Sequence, residues 1–345
     1  MKVLFLTPWY PSEKDAMLGL FVQKHVEAVR AQGVDVRVIF SQGWIDLWRQ
    51  WRAVKHEWGL PDVVQLNVIQ KQGLLALWLK KRYKIPYVII EHWTGYLPEN
   101  KSIAETGWHT SLMKHICRES EVVMPVSDHL GKAMQALGFT AKKWQKINNV
   151  VDDFFFEESQ KKNKGTNIKT LLNITCFDEP HKNVKGLLRA AKSLSEKRHD
   201  WQLILVGTGV DYQDVRAYAE TLDIPSGLLA WTGELTPQEV SAQFDQADIF
   251  VLSSNYENAP VVISESLAKG VPVVSTNVGG ISEMVNKQCG ILINPGKDDE
   301  LLHALNYMLD HYKDYNSTTI RKTGKAYSFE SIGITLKDIY QNVWI

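Results

Sequence analysis

Two carboxylates eight positions apart, Glu257 and Glu265, lie in the stretch NYENAPVVISESLAKGVPVVSTNVGG at 255–280. Pro260 stands between them, and a glycine pair at 279–280 follows the next strand-like run. A carboxylate accepts two hydroxyl hydrogen bonds, so a glutamate can hold a vicinal diol such as that of a ribose. The residues after Pro260 read as the start of a helix, where unpaired backbone N–H groups attract anions, notably phosphate. At ~1.5 Å of rise per residue, Glu265 stands roughly 7–8 Å further along the helix axis. The pattern suits a ligand held by an acid at each end with a diphosphate between, and Gly279 and Gly280 would let backbone approach the same phosphates. A solvated helix start accounts for the same residues differently: Asn258 as cap, Pro260 in the first turn, and acids favoured electrostatically at that end. The elements that position the stretch decide between the two.

Those elements alternate. KVLFLTP is an apolar run bounded by turn residues and reads as a buried strand. GLFVQKHVEAVRAQG follows with helical periodicity, Phe21, Val22, His25, Val26 and Val29 sharing one side and Gly33 ending it. VDVRVIF, VVQLNVI, PYVIIEH and VVMPVS predict further strands with helical segments between them. The pattern lapses around 151–168 and then restarts with TLLNITCF, a helix near 183–196, WQLILVG, a helix near 212–222, LLAWTG, a helix near 237–246, IFVLSS and, last, GILINP. Such alternation predicts parallel sheets covered on both faces. A chain of 345 residues accommodates two such units. Ligands of these sheets bind outside the carboxyl ends of the strands, and the stretch at 255–280 lies at such an edge.

Composition narrows the class. Three cysteines, Cys117, Cys176 and Cys289, are far apart and in no metal-ligand spacing, which argues against a disulfide framework or a zinc site. No apolar run approaches ~18 residues, so no spanning helix is expected, and the short run at the N-terminus reads as a strand rather than a leader. Residues 1–150 hold 20 Lys/Arg and 13 Asp/Glu, leaving 19 and 26 of the 39 of each for the remainder. The front half is therefore +7 and the rest −7, which suggests an anionic partner for the front half. Neither G-x-G-x-x-G after the first strand nor GxxxxGK[ST] is present, which excludes the usual dinucleotide and P-loop fingerprints. VGTG at 206–209 is a short glycine turn, and Ser127 in VSDH reads as a helix cap rather than a nucleophile, lacking a G-x-S-x-G elbow.

Glu257-x7-Glu265 followed by GVPVVSTNVGGISEMV resembles the signature of retaining GT-B glycosyltransferases of family 4, the glycosyl transferases group 1. LILVGTG, WTGELTPQEVSAQFDQADIFVLSSNYEN and GILINPGKDDEL are similar in type and order, as are PWYPSEKDAMLGLFVQKHVEAV, VVMPVSDHL and KINNVVD in the front half. The resemblance implies an α/β protein of GT-B class, two Rossmann-like domains facing each other across a cleft. These would be an acceptor-side domain at 1–158, a donor-binding domain at 159–325, and a last segment at 326–345 crossing back to the first. It implies transfer of a hexosyl group from a UDP- or GDP-sugar to a glycan or lipid-linked acceptor in bacterial surface-glycan assembly, in the cytoplasm or at the inner membrane face. Neither a metal nor another cofactor is implied. Glu257 would orient the transferred sugar and His92, in EHWTGY, would support catalysis. Lys182, Gly19, Asn258, Ala259 and Val261 would surround the diphosphate, Glu265 would hold the ribose, and Trp231, Thr232 and Gly233 would lie near the base.

In one place the chain departs from the family. The position six residues before Lys182, usually arginine, is Cys176, and a thiol cannot offer phosphate a charged fork. Lys185, His181 or Arg189 would have to replace it, or donor binding would be weaker. Two other functions share the architecture: a sugar-nucleotide epimerase needing no acceptor, and a non-catalytic nucleotide- or glycan-binding protein. In WIDLWRQWRAVKHEW at 44–58, Trp44, Trp48, Trp51 and Trp58 fall along one side of a helix beside Arg49, Arg52 and Lys55. With the basic runs at 80–84 and 142–146 this suits an anionic membrane surface or lipid-linked acceptor, and an aromatic core helix equally; no nucleic-acid partner is expected.

Overall fold

A computed structural model of the protein describes residues 1–13, 15, 17–100, 107–157 and 167–344. The chain divides into two compact units, Met1–Val150 with Tyr327–Ile345, and Val151–Ala326. The expected boundary at 158/159 lies outside the described residues. The units part at Val150/Val151, because the turn at Asp153–Phe155 already belongs to the second core, with Phe155 packed on Phe244 at 6.1 Å.

In the first unit, strands β1 (Lys2–Thr7), β2 (Asp35–Phe40), β3 (Val63–Asn67), β4 (Tyr87–Glu91) and β5 (Val122–Pro125) alternate with helices α1 (Leu20–Ala31), α2 (Trp44–Trp58), α3 (Gln72–Tyr83), α4 (Trp108–Glu119) and α5 (Asp128–Ala136). The strands pair parallel in the order β2-β1-β3-β4-β5. In the second unit, β6 (Lys169–Ile174) leads through α6 (Glu179–Lys182) and α7 (Val184–Ser195) to β7 (Trp201–Val206), α8 (Tyr212–Glu220), β8 (Leu229–Gly233), α9 (Pro237–Gln246) and β9 (Ile249–Leu252). Then come α10 (Val261–Lys269), β10 (Val273–Thr276), β11 (Gly290–Ile293), α11 (Asp298–His311) and α12 (Ser317–Gly324). This sheet is also parallel, ordered β11-β10-β9-β6-β7-β8. A final helix, α13 (Phe329–Trp344), packs on α1 in the first unit.

Local chemistry sets these boundaries. β1 and β3 are buried along nearly their whole length, as strands covered on both faces must be, which is why they read as apolar runs rather than alternating ones. α7 buries Val184, Leu187, Leu188, Ala191 and Leu194, a helical stripe. α9 begins sharply because Thr236 and Glu239 form a reciprocal capping box ahead of Pro237. Ser127 caps α5, its hydroxyl accepting from the Leu130 N–H at 3.0 Å. Between α13 and the central strand β3 runs a buried polar link, in which the Tyr340 hydroxyl donates to Gln65 and Gln65 donates to Asn67 at 3.1 Å.

The tryptophan stripe of α2 is divided. Trp51 and Trp58 are core residues, and Trp58 donates to Asp35 at 2.6 Å. Trp48 is half-buried against Trp78 at 5.2 Å, whereas Trp44 and Ile45 are exposed. Among the described residues no helix is long and apolar enough to cross a membrane.

Candidate functional site

The second sheet reverses its strand order between β6 and β9: the chain runs outward from β6 through β7 to β8, then returns to build β9, β10 and β11 on the other side. The loops that follow β6 and β9 therefore leave in opposite directions and open a crevice at the carboxyl edge of the sheet. Lys182 ends the short helix α6 in the first connection, and Glu257 lies in the loop of the second. The Lys182 ammonium meets the Glu257 carboxylate at 2.5 Å, with side chains only 13% and 7% exposed. The fully buried Ser254 hydroxyl donates to the same carboxylate oxygen at 2.7 Å.

The backbone beneath this pair is tied across the crevice. Asn255 N–H donates to the His181 carbonyl at 2.8 Å, Asn255 Nδ2 donates to the Pro180 carbonyl at 3.0 Å, and the Ser253 hydroxyl donates to the carbonyls of Lys182 and Asn183. His181 and Tyr256 stack at 4.0 Å, nearly parallel. The next loop braces the glutamate from outside. Gly279 has φ +54°, and a Cβ there would lie 1.7 Å from the Glu257 carbonyl oxygen; Gly280 N–H donates to the Asn258 carbonyl at 2.9 Å. The close approach that these glycines permit is thus to the Glu257–Asn258 backbone. α10 starts at Val261 with Pro260 as its cap residue, which has no side-chain cap bond to offer, and the Asn258 carbonyl takes the Gly280 bond. Asn258 is buried, Ala259 and Val261 are half-buried, and Glu265 is half-buried in α10.

Three further candidates lie on the edge strand. Trp231 belongs to an aromatic cluster, 5.9 Å from Phe177 and 6.0 Å from Tyr212, with the Arg216 guanidinium 5.7 Å over its ring. Thr232 is exposed, and the Gly233 carbonyl accepts from Gly207 N–H at 2.8 Å. The turn VGTG is therefore stitched to its neighbours, since Val206 and Thr208 carbonyls also accept from Thr175 and Phe177. The cations offered as replacements for arginine at Cys176 are engaged elsewhere. Lys185 pairs with Asp214 and Arg189 with Asp298, each at 2.5 Å. His181 is held neutral, its basicity lowered first by burial and then by the Lys182 charge. Among the described residues, no group of three or more His, Cys, Asp or Glu side chains is placed to hold a metal ion.

His92 and Gly19 belong to the first unit. Gly19 precedes α1 with φ +68°, and a Cβ there would strike the Trp9 backbone at 2.4 Å, so the loop after β1 closes only around glycine. His92 follows β4 and packs on Phe21 at 4.2 Å and on His25 at 5.6 Å. Its loop is organised by a residue that pattern reading missed. Glu91, fully buried, accepts from the N–H groups of Ile69, His92 and Trp93 and from the Tyr96 hydroxyl, at 2.9–3.0 Å. Burial pushes its carboxyl up and these four donors pull it back. The only signal in the sequence is an acid at the end of an otherwise apolar strand.

Two expectations follow. Gly279→Ala places a methyl on the Glu257 carbonyl in a left-handed backbone, so it should cost ~2 kcal/mol or more in denaturant unfolding. The second concerns acid. Burial lowers His25 to about 4, and burial followed by the His25 charge holds His92 well below its usual range. Both are neutral when folded and take up protons when unfolded. Their contribution is therefore complete above the ordinary histidine value of 6.5 and is lost as pH falls from there toward about 4. For His25 alone the loss is about 3 kcal/mol. Unfolding free energy measured across that window should fall steeply in the parent and less steeply in His25→Gln; equal slopes would contradict the assignment.

The chain resembles known proteins throughout its length. The model of Glycosyltransferase Family 4 matches residues 1–153 and that of Glycosyl transferases group 1 matches 154–324. It is 23% identical over 301 residues, 80% of the chain, to the alpha-monoglucosyldiacylglycerol synthase of Streptococcus pneumoniae. It is 22% identical, over 88% of both chains, to a putative teichuronic acid biosynthesis glycosyltransferase of Bacillus subtilis. Its matches span 66%, 55% and 42% of the lengths of the synthase and of two uncharacterized glycosyltransferases from Haemophilus influenzae and Methanocaldococcus jannaschii, so the chain spans about two-fifths to two-thirds of these relatives. Its fold is that of sucrose-phosphate synthase from Thermosynechococcus elongatus (TM-score 0.81, 16% identity, 100% and 99% of the two chains). It is also that of the Anabaena protein HepE solved with UDP-glucose (TM-score 0.77, 17% identity, 99% and 100%). Two successive parallel α/β units, a crevice at the reversed strand order of the second, and family models that abut to cover residues 1–324 together place this chain in the GT-B glycosyltransferases of group 1, family 4.

Proposed function

We propose that the chain transfers a hexosyl group from a nucleoside-diphospho-sugar to an acceptor hydroxyl with retention of anomeric configuration, in assembly of a bacterial surface glycan. The observation that carries this reading is the meeting of Lys182 and Glu257 at the crevice of the second unit. Lys182 takes the diphosphate, joined by backbone N–H groups from Asn258, Ala259 and Val261. Glu257 orients the sugar, and Glu265 accepts the ribose hydroxyls. The base lies toward Trp231, Thr232 and Gly233, three strands from β9, or ~14 Å at ~4.8 Å per strand. That separation suits an extended nucleotide laid across the sheet edge. The leaving diphosphate is stabilised by Lys182 and the helix start without a metal. His92 and Gly19 keep the roles that family resemblance gives them. HepE, solved with UDP-glucose, supports a uridine donor among the alternatives.

The acceptor is assigned to the first unit, where a cavity of about 750 Å³ opens at the ends of β1 and β2, lined by Ser12, Glu13, Leu18, Phe40 and Asp46 among others. A lipid-linked acceptor at the inner membrane face is supported by basic residues gathered on one surface: Lys55 and Arg82 flank the Tyr83 ring at 5.1 and 5.0 Å, with Arg52, Lys81 and Lys84 exposed. One observation favours a binding protein instead: Cys176 replaces the arginine, and neighbouring cations are paired elsewhere. That reading predicts binding without turnover.

Calorimetry against UDP, GDP, ADP and their sugars tests the site, and release of nucleoside diphosphate from the bound sugar nucleotide in the presence of acceptor separates transfer from binding alone. One nucleotide should bind, about ten-fold or more weakly to Lys182→Ala and to Glu265→Ala. No binding, or variants equal to the parent, would reject the site. For the membrane, co-sedimentation with anionic liposomes is expected at low salt and its loss at high salt; no binding at low salt rejects that partner.

A further inference from the structure

Lys182 is the cation that the donor diphosphate needs, yet it is already neutralised. It pairs at 2.5 Å with Glu257, the residue that the sugar needs, and both side chains are largely out of water. Lys185 and Arg189 point to Asp214 and Asp298 in the structure and burial lowers His181, so the cation set against Glu257 is Lys182. The four hydrogen bonds joining 180–183 to 253–255 fix the backbone under both residues, leaving the lysine side chain as the part that can move.

We propose that the Lys182–Glu257 ion pair is a selectivity device that favours the nucleotide sugar over the bare nucleoside diphosphate, with Ser254 as the positioning residue that makes the exchange possible. This rests on the donor site described above. A diphosphate draws Lys182 away from Glu257, and the buried carboxylate loses its counter-charge. A largely buried carboxylate without partners is costly. When the ligand carries a sugar, its hydroxyls donate to Glu257 and replace the lysine. When it does not, the partner left to Glu257 among the described residues is the Ser254 hydroxyl, and Lys182 is drawn back. The spent nucleoside diphosphate is therefore expelled by the same contact that the incoming donor replaces.

The test measures affinities for UDP, GDP and ADP and for their glucose conjugates by calorimetry, and takes the ratio of the diphosphate Kd to the conjugate Kd. Glu257→Gln removes the competing charge. It should tighten the bare diphosphate by about ten-fold and not tighten the conjugate, so the ratio falls. Ser254→Ala leaves the ion pair but removes the remaining partner. It should weaken the bare diphosphate by about ten-fold more than the conjugate, so the ratio rises. Opposed shifts are the expected signature. Because Ser254→Ala deletes a single buried hydroxyl, it decides the matter even if Glu257→Gln does not fold. If the parent binds the nucleotides and Ser254→Ala leaves the ratio unchanged, or Glu257→Gln weakens the bare diphosphate, the lysine bridges both groups and the device is absent. If the parent binds none of the six, the donor-site reading itself fails.

Discussion

A parallel sheet must return its chain across a face after every strand, and somewhere the strand order has to reverse. In the second unit that reversal falls between β6 and β9, and the site depends on it. Loops that would otherwise pack side by side are forced apart there, and the backbone polar groups at their roots need partners across the gap. Asn255, Ser253 and the carbonyls at 180–183 supply them. The same hydrogen bonds that close the crevice floor hold Lys182 and Glu257 facing each other, 75 residues apart in the chain.

Buried charge is handled differently in the two units. Glu91 is satisfied by four donors, three of them backbone N–H groups, and no cation is needed. Such a carboxylate is a fixed structural pin, and it shapes the loop that carries His92. Glu257 instead has a lysine and one hydroxyl on a single oxygen. Its main partner is a flexible side chain that a phosphate can recruit. Solvent exclusion makes both arrangements strong, but only the second can be exchanged for a ligand.

The histidines follow the same logic with the opposite sign. His25 is buried in α1 and donates to the Asn148 carbonyl at 3.1 Å, and the His92 ring packs 5.6 Å from it. Burial is the largest influence on both, and it favours the neutral rings. The loop around His92 is thus ordered by neutral packing and by Glu91, which makes its integrity sensitive to acid.

Much of this was legible in the amino-acid order. Strand and helix periods are local, so alternating elements, a parallel sheet and helices such as the one at 237–246 could be read directly. The pair Glu257 and Glu265 could be found because one loop and one helix carry both. What the sequence could not decide was which distant residues meet. Ser254, Glu91 and the His181–Tyr256 stack carry no periodic signal, because their roles exist only once strands that are remote in sequence become neighbours. Nor could a stripe of tryptophans declare its fate: the same spacing serves a core or a surface, and only the packing of α2 against Trp78 and β2 put Trp51 and Trp58 inside and left Trp44 out. The physical reason is common to these cases. Periodicity reports which side of an element is apolar, whereas partnership between charges is set by strand order and loop direction, which local sequence does not encode.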